Sequence, residues 1–291
     1  MLIKMKLLQI NNTEMEDARR ILRPRREDTH KGDYGHALLV CGSRGMAGAA
    51  VLAATGALRS GCGLVTVHLP ASERTAIHCT CPSAMVDCDP RGHFSILPSN
   101  LERYAAVGCG CGIGRHPDTE VALRHLLGIW CRPMVLDADA LNIIAASPDM
   151  QKMVPEGSVL TPHLGELHRL VGEWDSPEAR LTKAAALAGR TRSCVVVKGP
   201  HSAVIAPDGQ MFFNTTGNPG MATGGSGDVL TGLLTGLLAS GYPAFEAARL
   251  GVWLHGRAGD IAASRYGQNG MNSRDISDCI GEAFLSLEKS L

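Results

Sequence analysis

The chain has 291 residues, with 28 lysines and arginines against 28 aspartates and glutamates, so its formal net charge is zero. That balance argues against nucleic acid or an anionic membrane as the main partner, and no apolar run approaches the roughly 20 residues of a membrane span. Glycine is abundant at 34 residues and aromatics make up only 4%, which suits a parallel sheet with tight strand-to-helix turns and suits a β-sandwich poorly.

Residues 1–30 read as a polar lead segment. The start, Met1-Leu2-Ile3-Lys4-Met5-Lys6, runs into charged residues rather than a signal-peptide core, which implies a cytoplasmic protein. Asn12-Thr13-Glu14 can begin a helix, and Arg19, Arg20, Arg23, Arg25 and Arg26 read as its solvated face, running to Pro24. From His36 onward short apolar runs alternate with Ala/Leu-rich stretches of helical period. A strand over 37–41 leads to a helix over 47–60, then strands over 64–68 and 105–108. A helix over 117–127 follows, then a strand over 134–137, a helix over 140–146, and a short strand over 158–160 before a helix from Leu164. Residues 180–188 are helical, and strands over 194–198 and 203–206 form a hairpin across Gly199-Pro200-His201. Three helices, 229–239, 244–263 and 275–287, close the chain.

This alternation predicts an α/β fold, a mostly parallel central sheet with helices on both faces, as one domain over 1–291. Ligands in such sheets bind beyond the carboxyl ends of the strands. The ten cysteines are scattered, several in apolar runs, and a cytosolic chain of this size is not expected to form disulfides. Cys79-Thr80-Cys81 and Cys109-Gly110-Cys111 lack the usual spacing of structural zinc sites.

The strongest motif runs from Asn214 to Leu230 and contains Gly224-Gly225-Ser226-Gly227-Asp228 where a helix begins. Free N–H groups and the positive end of the helix dipole face such a turn, and glycines let backbone approach an anion closely. Gly225, Ser226 and Gly227 thus form a candidate hole for a transferring phosphoryl group, with Asp228 placed to take a proton from an attacking hydroxyl or, more simply, to cap the helix. It is no Walker loop, since no Gly-Lys-Ser/Thr follows. Gly108-Cys109-Gly110-Cys111-Gly112-Ile113-Gly114 is a weak dinucleotide fingerprint that fits either a ligand contact or a flexible turn. Asp137 and Asp139 stand at a strand terminus, where they can bind a cation, orient a hydroxyl or cap the next helix. Thr161, His163 and Glu166 surround another helix start, as a ligand contact or as a capping box.

In order and spacing these segments resemble the ADP-dependent NAD(P)H-hydrate dehydratases of the ribokinase-like superfamily. The likeness starts at His30-Lys31-Gly32-Asp33-Tyr34-Gly35 and takes in Cys41-Gly42-Ser43, Ala47-Gly48-Ala49-Ala50 and Arg59 to Val65. It continues through residues 137–142, Thr161-Pro162-His163-Leu164-Gly165-Glu166, Val197-Lys198-Gly199 and the 217–230 segment. Vitamin-precursor kinases of the same fold typically carry Asn after the Thr-Pro and lack the Asp-Ala-Asp-Ala-Leu-Asn run. The resemblance implies dehydration of the S epimer of NAD(P)H hydrate with ADP as phosphoryl donor, releasing AMP and phosphate, with Mg²⁺ on the phosphates. By the same resemblance Ala49, Gly114, His163 and Asp228 would contact substrate, and Lys198, Gly199, Pro200, His201, Ser202 and Gly227 the adenine nucleotide. Cys111 replaces a usual proline, which is expected to loosen the turn before Gly114, and Ser226 replaces a usual threonine while keeping its hydroxyl. Too little sequence precedes His30 for the epimerase domain fused in many relatives, so a separate epimerase is implied as functional partner. Family relatives also suggest a homo-oligomer, up to a tetramer. An ATP-dependent small-molecule kinase of the same fold is the alternative function.

Overall fold

Both faces of the central strands are apolar, and that pattern places the sheet in the middle of the molecule. The structure is a computed structural model and describes residues 11–288; the start of the chain, on which the cytoplasmic expectation rests, lies outside them. In chain order the elements are β1 (Asn11–Thr13), α1 (Met15–Ile21), β2 (His36–Val40), α2 (Ala47–Arg59), β3 (Leu64–Pro70), α3 (Arg74–Thr80), β4 (Met85–Asp89) and β5 (Ala106–Cys109). Next come α4 (Pro117–Ile129), β6 (Met134–Leu136), α5 (Ala138–Ala146), β7 (Val159–Leu160), α6 (Leu164–Val171) and α7 (Pro177–Thr191). The last are β8 (Cys194–Val197), β9 (Ala203–Ile205), β10 (Met211–Asn214), α8 (Ser226–Ala239), α9 (Ala244–Tyr266) and α10 (Ser273–Glu288).

The ten strands form one sheet in the order β1-β10-β9-β8-β7-β6-β5-β2-β3-β4. Strands β2 to β8 are parallel, and β9 runs antiparallel to both β8 and β10. Side-chain alternation splits the core: Ala37, Leu39 and Val135 pack under α2, α8, α9 and α10, while Leu38, Val40 and Leu136 pack with α4 to α7. The strand order reverses between β2 and β5, so the crevice beyond their carboxyl ends is the topological switch point.

Two elements escape the sequence reading. Helix α3 buries only Ile77, and the edge strand β4, Met-Val-Asp-Cys-Asp, buries only its last residue, so neither leaves an apolar period to detect. The lead segment also differs from its expectation. Residues Asn11 to Thr13 add a parallel edge strand to β10, and the helix after them stops at Ile21, short of Pro24. Arg20 and Arg26 stay exposed, as expected, but Arg19, Arg23 and Arg25 find partners far away in sequence. Arg19 Nε donates to the Leu287 carbonyl at 3.2 Å, while Arg23 and Arg25 stack on Tyr242 and Tyr34, 4.6 and 4.1 Å from the ring centres. Guanidiniums suit the carbonyl-rich carboxyl ends of helices, and that docking is what the local charge pattern could not show.

Helices α2 and α8 pack closely because Gly232 carries no side chain: a Cβ there would sit 1.8 Å from the Ala53 carbonyl oxygen. The Gly232→Ala variant must therefore spread the two helices, at a cost of at least about 2 kcal/mol. The expected readout is a Tm several degrees lower in calorimetry; an unchanged Tm would show that this contact relaxes freely.

Candidate active site

Helix α8 starts at Ser226 because Gly225, its N-cap, adopts the left-handed region at φ 90°. A side chain at Gly225 would meet Leu52 Cδ1 at 2.3 Å and Ser273 Oγ at 2.7 Å, so both backbone sign and space demand glycine. The three predicted turn residues thus occupy the N-cap and first turn of a 14-residue helix, where N–H groups lack helical partners. Asp228 stands in that first turn rather than at the cap. Burial, with Asp137 and Asp139 nearby, raises its carboxyl from 3.8 to about 6, against the charge of Lys198.

Beside the turn lies a network that its sequence spacing did not reveal. A Cβ on Gly227 would lie 3.3 Å from Lys198 Nζ and 3.5 Å from Asp137 Oδ2. Lys198 Nζ donates to Asp137 Oδ1 at 2.7 Å and sits 3.9 Å from Glu166 Oε2. Thr231 Oγ1 donates to the other Asp137 oxygen at 2.9 Å. Burial weakens the charged lysine, yet Asp137 and Glu166 together hold Lys198 above its ordinary range. Glu166 is raised by burial and by Asp137, less the help of Lys198. From α9, His255 approaches Ser226 Oγ at 3.4 Å, and burial drops it to about 4, so its imidazole is neutral. Thr231 and His255 lie on apolar helices with no local motif, and only the fold brings them here.

The segment after β5 is anchored at both ends. Gly42 N donates to the Cys111 carbonyl at 2.7 Å, and Gly114 N to Asp139 Oδ2 at 2.9 Å. These bonds tie the turn down at Cys111 and at Gly114. Asp137 keeps extended backbone, but Ala138 is forced to φ 48°, a costly conformation for alanine that the surrounding bonds impose. Ala49, 8% exposed in α2, lines the same crevice, since a Cβ on Gly112 would lie 3.0 Å from its own. His163 is the N-cap of α6 in a capping box with Glu166: Nδ1 accepts from Gly165 N at 3.0 Å, and Glu166 Oε2 accepts from His163 N at 2.9 Å. Its ring stays 55% exposed, with Nε2 3.1 Å from Glu166 Oε1, which joins it to the lysine network.

Lys198, Gly199, Pro200 and His201 line a cavity of about 680 Å³, walled also by Leu164 and Phe213. Ser202 is in the same hairpin turn, its Oγ donating to the Gly199 carbonyl at 3.2 Å. Lys198 is the wall of this cavity that stands beside the glycine turn, next to Gly227. All ten cysteines are free.

A model of the NAD(P)H-hydrate dehydratase family matches residues 37–282. The ADP-dependent (S)-NAD(P)H-hydrate dehydratase of Neisseria meningitidis is 39% identical over 256 residues, 83% of this chain and 81% of that protein. The chain belongs to the NAD(P)H-hydrate dehydratase family. The bifunctional NAD(P)H-hydrate repair enzyme Nnr of Moorella thermoacetica is 41% identical over 279 residues, 92% of this chain but 53% of that protein, so the chain spans about half its length. Among solved structures, an ADP/ATP-dependent NAD(P)H-hydrate dehydratase from Bacillus subtilis, co-crystallised with ATP and Mg²⁺, superposes with a TM-score of 0.85 at 29% identity, covering 97% of this chain and 100% of that one. A ribokinase-like superfamily protein from Enterococcus faecalis superposes equally well, with a TM-score of 0.85 at 26% identity over 96% of each chain, so the ribokinase-like fold expected from the sequence is the one observed.

Proposed function

We propose that this dehydratase-family chain restores NAD(P)H from the S epimer of its hydrate, consuming ADP and releasing AMP and phosphate. The observation that carries the reading is a carboxyl group raised to about 6 in the first turn of a glycine-capped helix, with an ammonium beside that turn. Hydroxide is a poor leaving group, and phosphorylation makes it a good one. Asp228 takes the proton of the C6 hydroxyl as its oxygen attacks the β-phosphorus of ADP, and AMP departs. The N–H groups of the Gly225-Ser226-Gly227 turn and Lys198 stabilise charge on the phosphoryl oxygens. The ring nitrogen's lone pair then breaks the C6–O bond, phosphate leaves with the bonding pair, and loss of the C5 proton restores the ring double bond.

In this reading Ala49, Gly114 and His163 border the hydrated nicotinamide, and Lys198 with the Gly199-Pro200-His201-Ser202 turn holds the nucleotide. Magnesium would enter on the nucleotide and lend charge neutralisation to the phosphates. Both Asp137 oxygens are engaged by Lys198 and Thr231, which fits an ion held by phosphates and water rather than by a protein cage. One domain, a cytoplasmic homo-oligomer and functional partnership with an NAD(P)H-hydrate epimerase complete the proposal.

The test is purified chain with NADH hydrate, Mg²⁺ and either nucleotide, followed at the reduced-nicotinamide absorbance. Recovery with ADP, with AMP and phosphate as products, is expected. A stable phosphorylated product would move the assignment to a small-molecule kinase.

A further inference from the structure

Arg180 lies near the amino end of α7, where its backbone N–H donates to the carbonyl of the N-cap residue Ser176 at 3.0 Å. Its Nε–H is buried and meets no acceptor among the described residues, nor does any carboxylate among them pair with the guanidinium. A buried donor without a partner is costly, so such a group calls for an acceptor that arrives from outside. The same arginine walls the cavity of about 680 Å³ that also holds Lys198. Its fellow wall residues Leu164, Leu181, Val197 and Phe213 are apolar. Lys198 stands at the end beside Gly227 of the glycine turn, and Asn12 of β1 stands on the outer side, in the strand order β8-β9-β10-β1. At roughly 4.8 Å per strand that order spans about 14 Å, room for a nucleoside diphosphate laid along the sheet edge.

We propose that Arg180 is a nucleotide-binding residue whose Nε–H donates to a ring nitrogen of the adenine. This rests on the reading of the cavity as the nucleotide site. The phosphates are drawn to the Lys198 end, where an ammonium and the N–H groups of the helix turn collect positive charge. That leaves the base to the apolar stretch between Leu164, Leu181 and Phe213, walls that suit a flat purine. Apolar walls offer nothing to the purine's ring nitrogens, which are acceptors, and the unpartnered donor of Arg180 is the group that can satisfy one of them. An arginine stem also covers apolar surface, and packing alone accounts for the stem but not for a buried N–H left without a partner.

The experiment measures binding of ADP with Mg²⁺ by calorimetry to wild type, Arg180→Met and Arg180→Lys, with no hydrate present. Met keeps an apolar stem without the donor, and its ADP affinity is expected to fall roughly 10- to 100-fold, the range for a hydrogen bond to a charged group. Lys keeps the charge but not the N–H at that depth, so its affinity falls nearly as far. Full affinity in Lys would mean a charge contact with phosphate and would overturn the proposal. Inorganic pyrophosphate, which has no base, should compete equally well in wild type and Arg180→Met. The accepting nitrogen is found with 1-deaza-, 3-deaza- and 7-deaza-ADP. One of them should bind wild type about as weakly as ADP binds Arg180→Met, and lose nothing more in that variant. If all three lose as much in the variant as ADP does, no ring nitrogen accepts the bond and the proposal fails. Unliganded Arg180→Met should melt at or above wild type, because the unpartnered donor is gone. A Tm several degrees lower with ADP affinity intact would make Arg180 a packing residue. Wild type that binds no adenine nucleotide overturns the reading of the cavity and the proposal with it; wild type and Arg180→Met binding ADP equally well sinks the role of Arg180 alone.

Discussion

Replacing Asp228 by asparagine is expected to lower kcat by about 10² to 10⁴-fold, the usual range for loss of a general base, while adenine nucleotide still binds. The amide keeps the shape of the carboxyl group but cannot take the hydroxyl proton. Its charge is also constant with pH, which gives a second, independent readout. In wild type the carboxyl rises from 3.8 to about 6 on folding, mainly through burial. The folded state therefore holds this proton more tightly than the unfolded state, and the stability linked to it is present below 3.8 and lost as pH rises through about 6. Asp228→Asn should accordingly melt above wild type at pH 8 and close to it at pH 4. Turnover in wild type runs the other way, rising with pH through about 6 as the base ionises. Near-normal kcat in the asparagine variant would remove Asp228 from the role of base. A variant that melts lower at pH 8 would instead show that its charge stabilises the fold.

Removing the charge of Lys198 should produce the next largest effect, on both binding and stability. Its Nζ is bound to Asp137, 2% exposed, and lies near Glu166, 4% exposed. Lys198→Met strands both carboxylates in a poorly hydrated site, a loss of the order of 3 kcal/mol. It also removes the cation beside the phosphate turn, so the affinity for ADP should fall about 100-fold. The two consequences separate in a double-mutant cycle. Adding Asp137→Asn to Lys198→Met should recover much of the lost Tm, because the unpaired charge is gone. The same second change should leave ADP binding weak, because no cation has returned. Recovery of ADP affinity in the double variant would mean that Lys198 acts only as a counter-ion to Asp137.

The exposed edge arginines show how limited a charge pattern is. Arg19, Arg23 and Arg25 read as a solvated stripe, but each finds a carbonyl or ring far away in sequence. Short elements fail for a related reason. Helix α3 and strand β4 each bury a single residue, which is too little signal for periodicity to register.

Apart from α3 and β4, the sequence by itself determined the alternation of strands and helices from β2 onward, because fully buried parallel strands and Ala/Leu-rich helices leave strong local patterns. It also determined the glycine turn with Asp228 behind it, since positive φ and close backbone approach restrict residue type at fixed spacing. Only the tertiary structure decided which distant groups face that turn. Lys198 stands 61 residues from Asp137 and Thr231 94 residues from it, and His255 comes in from a different helix to meet Ser226. No local rule couples residues so far apart. Their meeting follows from the parallel register of β5 to β8, which brings the strand ends together at one edge of the sheet. There burial sets the acidity of Asp228, a property of the assembled site rather than of any segment in it.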